Sequence, residues 1–543
     1  MKAFRLTKRT ALTLVVLLAV LLTACNGNGG SSGGETTSGG DAAGSDAAAP
    51  AANAGNDSAA GQTSEPQAVD TSEHVTLKMI LLGDADPDTK LVYEELNKLI
   101  KRDLNATVEV EFLSFSDYQQ RYPLLFATGE RVDLIYTSDW AFYDQEAVKG
   151  AFAEVTEEIL QTYMPQTWEH QNPLSFEQAK IGGKAYFVPI SLTPMAGASG
   201  VLIRGDLREK YGLPEIKTID DLEAYYDAVA KNEKGIFPFA ASKNNDTMRD
   251  LFVKTMNELV VLKNGTSDYF HPYTGDKDIR AEDLQWLHES EAYEAFVRKM
   301  KDWADRGFWS KNAVANNTAP RDAFENGTSA SLLWNIGTLA VTQQSVEKTH
   351  PEWKPEIYDL TEGRKLMIGS YTSDGMAVAA GSKHKERAFM LLDKMKFDEE
   401  YNNLMRLGIK GKHWSPVGED QWEPGPNQEK YRFGTGGSWG VKGEHERTAT
   451  TQPPIVKVIA ASREGRTVQP VSLGLRIDER PIANEMAAVN SAKTKYLPLL
   501  ELGLVDDVDK WLEEYRTAAK QAGQEKVFAE VKTQLGAYLA AVK

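Results

Sequence analysis

Cysteine is almost absent: Cys25 is the only one in 543 residues. No intrachain disulfide can form, and a cysteine-ligated metal cluster or cysteine nucleophile would have to use this same residue. A chain of this length can bury large cores without cross-links. Positive charge is in deficit, with 61 Lys and Arg against 78 Asp and Glu and a formal net charge of −17. Such an acidic surface argues against nucleic acid and against a polybasic membrane patch as partners. Several catalytic signatures are missing. The eight histidines are scattered, with no His-Glu-x-x-His pair, and there is no Walker P-loop. Gly197-Ala198-Ser199-Gly200 is one residue short of a nucleophile elbow. Gly434-Thr435-Gly436-Gly437-Ser438-Trp439-Gly440 has the wrong spacing for a dinucleotide fingerprint and reads as a loop. Asp84, Asp86 and Asp88 sketch a calcium loop, but Thr89 stands where that loop needs Gly. No metal or other cofactor is expected. A pair of glycosidase carboxylates needs only to be close in space, so a surface glycan hydrolase stays open as an alternative.

The N-terminus carries a clear signal. Lys2, Arg5, Lys8 and Arg9 precede an uncharged, apolar or small stretch from Ala11 to Ala24, too short to span a bilayer and of the right form for a secretory signal. It ends in Leu22-Thr23-Ala24-Cys25, which resembles a bacterial lipobox with Cys25 as the lipid attachment point. Residues 1–24 are therefore expected to be a signal peptide, and their removal takes four positive charges from −17, leaving −21. Residues 25–72 are mostly Gly, Ser, Ala, Asp, Thr and Asn, with no Lys or Arg between Cys25 and Lys78. This composition buries too little surface to offset ordering entropy and reads as a lipid anchor with a disordered tether of roughly 35–40 Å reach. The expected location is the extracellular side of the bacterial cell membrane.

The rest of the chain is patterned for an α/β fold. Val75–Leu82 alternates and then becomes continuously apolar, as a strand buried in a sheet would. Leu91, Val92, Leu96, Leu99, Ile100 and Leu104 recur at helical spacing, Val108, Val110 and Phe112 alternate, Tyr118–Ala127 is helical, and Val132–Tyr136 is a third strand. This β-α-β-α-β order predicts a doubly wound lobe with a mostly parallel sheet. Later, Thr218 is placed to cap a helix with Asp221 three residues on. In doubly wound sheets ligands bind beyond the carboxyl ends of the strands, which nominates the loops Gly83–Asp88, Ser114–Tyr118 and Thr137–Tyr143. The third holds Asp139, Trp140 and Phe142. A sugar ring stacks its C–H faces on an indole and donates hydroxyls to a carboxylate. Trp140 is read as that face and Phe142 as a core aromatic.

The order of these segments resembles the extracellular solute-binding proteins of carbohydrate ABC importers, the group that includes maltose-binding protein. The likeness is carried by Val132–Tyr136 with Asp139-Trp140, by Gly183-Lys184-Ala185-Tyr186-Phe187-Val188-Pro189, by Asp206–Pro214 with Thr218–Leu222, by Gly327–Trp334, and by Ala377–Leu392. Gly408-Ile409-Lys410-Gly411-Lys412-His413-Trp414 and the stretch from Pro481 to Ala540 resemble the LipO-like solute-binding lipoproteins, with Lys410 in place of the usual Glu. The resemblance implies a periplasmic-binding-protein-like α/β fold: two doubly wound lobes with a hinge, plus a helical C-terminal region. Lobe one is expected at 75–194 and 367–412, lobe two at 195–366, and the C-terminal region at 413–543, packing across both lobes. Crossovers near Thr193–Gly200, with Pro194, Gly197 and Gly200, and near Leu366–Tyr371 would form the hinge. The implied function is capture of a solute for ABC permease subunits, without enzymatic turnover. The wider family implies that this solute is an oligosaccharide. A receptor feeding a sensor kinase is the other alternative. The candidate ligand site comprises Asp84, Asp139, Trp140, Trp334, Asn335, Tyr371, Asp374, Trp414 and Trp439, with Trp334 also readable as core.

Overall fold

The computed structural model describes residues 70–114, 117–194, 199–243, 246–262, 269–275, 279–432, 439–443 and 447–542. The signal peptide, Cys25, nearly all of the tether, Gly197 and the loop Gly434–Ser438 lie outside the described residues. Among the described residues, no helix is long and apolar enough to cross a membrane.

The sequence patterns become one mixed sheet in the first lobe. Strand β1 (Val75–Leu82) pairs in parallel with β2 (Ala106–Leu113), running from Val75 opposite Ala106 to Leu82 opposite Leu113, and on its other side with β3 (Leu134–Thr137). Helix α1 (Thr89–Leu104) buries Val92, Leu96, Ile100 and Leu104 at helical spacing against this sheet. The Asn97 carboxamide pairs with both backbone groups of Val108, tying α1 to the outer strand β2. The expected parallel sheet is correct for these three strands only. The returning strand Gly375–Val378 runs antiparallel to β3, and the short strand Val188–Pro189 runs antiparallel to it in turn. Gly375 has to be glycine there: a Cβ would lie 2.5 Å from the Phe187 ring and 2.6 Å from the Val188 carbonyl.

The second lobe centres on a three-stranded antiparallel sheet with Ser199–Arg204 between Ser331–Asn335 and Pro355–Tyr358. The helix Ile219–Asn232 starts as expected, with Thr218 Oγ1 accepting from the Asp221 N–H and Asp221 Oδ2 accepting from the Thr218 N–H. The C-terminal region divides between the lobes. Helices Ala483–Glu501, Val508–Gln521 and Gln524–Val542 share one continuous core with Tyr225, Tyr293, Phe296 and Trp303 of lobe two, burying Val527, Val531, Leu535 and Leu539 at four-residue spacing. The preceding stretch instead docks on lobe one, where Lys412 and His413 reach Asp88, and Arg432 reaches Asp86.

The junction is more heavily built than two crossovers would make it. Leu366–Met367 pairs in parallel with Thr467–Val468, so a third segment runs alongside the second crossover. Next to it, Ile190 and Tyr371 pack with Val260 and Leu473 in a small cluster drawn from both lobes and the C-terminal region.

Candidate functional site

At the carboxyl end of β3 the chain makes a tight turn. The N–H groups of Ala141 and Tyr143 both donate to the Ser138 carbonyl, and Thr137 Oγ1 donates to the Ala141 carbonyl. Phe142 closes the turn at φ 63°, a left-handed conformation that a bulky residue adopts only when its surroundings enforce it. The enforcement is aromatic. Its ring stacks on Tyr122 at 5.3 Å and meets Tyr118 edge-on at 5.9 Å, so Phe142 is packing rather than ligand surface. The turn throws the neighbouring ring outward: Trp140 is 46 % exposed.

Trp140 is exposed but held in one orientation. Its indole N–H donates to the Ser373 carbonyl at 2.7 Å, and its ring lies 6.5 Å from Tyr118 and 6.0 Å from Tyr136. Trp439 meets the same Tyr136 ring edge-on at 6.2 Å. Gly440 allows that approach, since a Cβ there would sit 2.9 Å from Met376 Sδ and 3.0 Å from the Gly375 carbonyl. Two carboxylates brace the platform. Asp139 accepts from Thr372 Oγ1 at 2.8 Å, while its own N–H donates to the Thr372 carbonyl. Asp374 accepts from the Tyr136 hydroxyl at 2.6 Å and forms an ion pair with Lys442 at 3.0 Å. Burial, then the Asp374 charge, pushes the Tyr136 phenol well above its ordinary pKa, so it stays a donor to that carboxylate.

The fold brings Asp139, Trp140, Asp374 and Trp439 to one place, although Asp139 and Asp374 are 235 positions apart in the chain. Asp84 lies exposed in the loop after β1, at the same end of the sheet. Its neighbours do not offer a calcium loop: Asp86 is bonded by Arg432, and Asp88 by Lys412 and His413, whose hydrogen bonds hold the Asp88 carboxyl below its ordinary pKa. Trp334 and Asn335 stand at the end of a lobe-two strand. Trp334 is 38 % exposed, so it is surface rather than core, and Asn335 Oδ1 caps the following helix by accepting from the Thr338 N–H at 2.8 Å. Asn335 also pairs in register with Ser199, which places this strand end beside the first crossover.

Two expected ligand contacts are corrected by their packing. Tyr371 is fully enclosed in the junction cluster, where its hydroxyl accepts from Asn172 Nδ2 at 2.9 Å and its N–H donates to Gln178 Oε1. Trp414 is buried with Leu407 and Trp422, and its indole donates to the Gly408 carbonyl. Both rings face structural neighbours because their local elements need a core there.

One residue was missed by sequence reasoning. Arg476, itself buried, forms an ion pair with the partly exposed Asp144, donates to the Gln178 carbonyl at 3.2 Å, lies 5.4 Å above the Tyr143 ring, and feels the charge of Asp139. Its flanking residues Leu475 and Ile477 are buried in the lobe-two core. The period-2 alternation Leu475-Arg476-Ile477 was the available signal: two side chains anchor in one lobe and the third points to the other. Burial lowers the Arg476 pKa, yet guanidinium stays charged, and its acidic neighbours compensate.

The profile of the bacterial extracellular solute-binding protein family matches residues 86–401, and DUF3502, a domain of unknown function, matches residues 471–540. A carbohydrate ABC transporter substrate-binding protein from Streptococcus pneumoniae is 20% identical over 489 residues, covering 87% of this chain and 93% of that protein. Among solved structures, the N-glycan transport solute-binding protein NgtS from Streptococcus pneumoniae superimposes with a TM-score of 0.71 at 18% identity, covering 86% of this chain and 100% of that one. NgtS has also been solved in complex with Man1GlcNAc, at a TM-score of 0.69 and 18% identity. The alginate-binding protein AlgQ2 gives 0.61 at 17% identity, covering 85% of this chain and 98% of that one. These likenesses establish the periplasmic-binding-protein-like α/β fold with its helical C-terminal region.

Proposed function

From the premise that the chain belongs to the bacterial extracellular solute-binding protein family, we propose that it captures an oligosaccharide between its lobes and presents it to an ABC importer. The observation that carries this reading is Trp140: a large, half-exposed indole held at a fixed angle beside Asp139, at the strand end where this fold binds ligands. Trp439 and Tyr118 extend the aromatic surface, and a run of sugar rings presents the apolar faces such a surface accepts. Asp84, Trp334 and Asn335 are the polar and aromatic groups proposed to complete the site. The relatives described as carbohydrate and N-glycan binding proteins support the same ligand class.

The protein acts by binding rather than by turnover. Both oxygens of Asp374 are engaged, by Tyr136 and by Lys442, which suits holding an aromatic platform rather than shuttling a proton. Cys25 anchors the protein by lipid on the extracellular face of the membrane, and the Gly- and Ser-rich tether gives the lobes room to reach the permease. The likeness of the C-terminal block to the LipO-like lipoproteins supports the same location.

Calorimetry against a panel of purified oligosaccharides tests the assignment. Once a ligand is found, Trp140→Ala is expected to weaken it by ~1–3 kcal/mol, roughly tenfold to a hundredfold, with the denaturation midpoint close to wild type. Unchanged affinity with a large loss of stability would make Trp140 a structural residue, and release of shortened glycans during incubation would make the protein a hydrolase.

A further inference from the structure

The first crossover leaves lobe one through Ile190, Ser191 and Leu192, and the three N–H groups are held by only two residues. The Ile190 N–H donates to the Asp374 carbonyl at 3.2 Å, and those of Ser191 and Leu192 donate to the Lys442 carbonyl at 3.1 and 3.4 Å. Ser191 Oγ donates to the same Lys442 carbonyl at 3.3 Å. These two acceptors are also the ion pair that braces the aromatic platform. The Asp374 carboxylate takes the Tyr136 hydroxyl and Lys442 Nζ, and the Tyr136 ring lies against both Trp140 and Trp439. Ser373, the residue before Asp374, accepts the Trp140 indole N–H, and the Lys442 N–H donates to the Trp439 carbonyl at 3.3 Å. The segment Trp439–Gly443 is itself fixed in lobe one. Val441 is buried in the lobe-one core, Asn402 Nδ2 donates to its carbonyl at 2.9 Å, and a Cβ on Gly443 would come 3.1 Å from the Lys396 carbonyl.

We propose that Asp374 and Lys442 are positioning residues that couple the platform to the first crossover, so that an occupant of the platform also stiffens the chain between the lobes. This rests on reading the platform as the ligand surface. The reason is a division of labour within each residue. Their side chains meet each other and, through Tyr136, the two indoles; their carbonyls hold the crossover. A shift of either charged group turns the peptide units beside it, and the crossover N–H groups lose or gain their acceptors with that turn. A sugar that immobilises Trp140 and Trp439 restricts Tyr136, Ser373 and the turn that ends at Lys442, and with them the acceptors of Ile190, Ser191 and Leu192. Ordering one side then lowers the entropic cost of ordering the other. The coupling is reciprocal, so loosening the crossover loosens the platform by the same free energy.

The test needs no ligand, so its failure is distinct from failure of the oligosaccharide reading. Hydrogen exchange is followed by NMR on the purified protein. The Ser191 and Leu192 amides report on the crossover, the Asp139 amide and the Trp140 indole N–H on the platform, and the amides of α1 on global unfolding. Lys442→Met removes the ion pair but leaves the carbonyl at that position, so any change at Ser191 and Leu192 has to pass through the lost side-chain contact. Both sides are expected to exchange about tenfold faster, between the weight of a surface pair and that of a buried one, with α1 unchanged. Lys442→Arg restores the charge and is expected to return both sides towards wild-type rates. Ser191→Ala removes only the hydroxyl bond on the crossover side. It is expected to speed exchange of the Trp140 indole about threefold, and it covers the case in which Lys442→Met fails to fold. The proposal is overturned if Lys442→Met speeds one side alone, if α1 accelerates as much as the two sites, or if Ser191→Ala leaves the platform unchanged.

Discussion

Replacing Arg476 with Met tests whether the C-terminal region is a working part of the ligand loop. The Arg476 side chain is 7 % exposed and that of its partner Asp144 is 26 % exposed. Removing one partner of a fully buried pair costs about 3–5 kcal/mol, whereas a surface pair contributes about 0–1 kcal/mol. Asp144 is in between. Left alone it regains water, and its place in the first turn of the helix Tyr143–Val148 suits a negative charge. The pair is then worth ~1–2 kcal/mol, and the lost bond to the Gln178 carbonyl adds about 1 kcal/mol. The expected loss is about 2–3 kcal/mol in urea denaturation. Leu475 and Ile477 remain anchored in lobe two, so the damage falls on the turn that orients Trp140. Amide exchange in residues 139–148 is expected to accelerate, with ligand affinity falling in parallel, while the lobe-two core keeps its protection. Asp144→Asn provides the complementary measurement, since it leaves the guanidinium as the unpaired charge. A variant that unfolds within about 0.5 kcal/mol of wild type, with unchanged exchange in the turn, would refute the reasoning.

Lys396 is fully enclosed, donating to Gln171 and to the Pro189 carbonyl, and burial pushes its pKa down to about 7. In the unfolded chain it holds its proton to about 10.4, so between those values the unfolded state binds more protons and stability rises with pH. Chemical denaturation at pH 7 and pH 9 should show that rise, and Lys396→Met should flatten it; a slope of opposite sign in the difference between the two proteins would sink the assignment. For the anchor, Cys25→Ser should leave an unprocessed precursor or a released protein in cell fractionation, and a correctly cleaved Ser variant still held at the membrane would exclude lipidation at Cys25. Closure of the lobes on a true ligand should lower the radius of gyration in solution scattering of Glu65–Lys543, the compact unit of the chain; superimposable profiles with and without saturating ligand would leave a rigid binder. The ligand can drive closure only through the extra contacts it makes in the closed state.

How far the sequence reached depends on the range of the physics involved. Period 2 in Val75–Leu82, helical spacing from Leu91 to Leu104 and the Thr218–Asp221 cap are settled by near neighbours, so these elements are legible in the amino-acid order alone. The loop after β3 is legible too, because the carboxyl ends of parallel strands are fixed by strand order. In that loop Trp140 stands exposed while Phe142 packs against Tyr122 and Tyr118. What the pattern left open was strand direction on return: nothing local in Gly375–Val378 says that it runs antiparallel to β3.

Long-range packing decided the rest. Trp414 and Tyr371 are aromatic like Trp140 and Trp439, and only the neighbours that tertiary structure brings to them make the first two core and junction. Asp374 becomes a brace because Tyr136 and Lys442, 238 and 68 positions away, converge on its two oxygens. The Leu475-Arg476-Ile477 alternation was visible in the chain, but its meaning was not. A strand-like period says that successive side chains point opposite ways; only the placement of two lobes on either side turns that alternation into a strap with an ion pair across it.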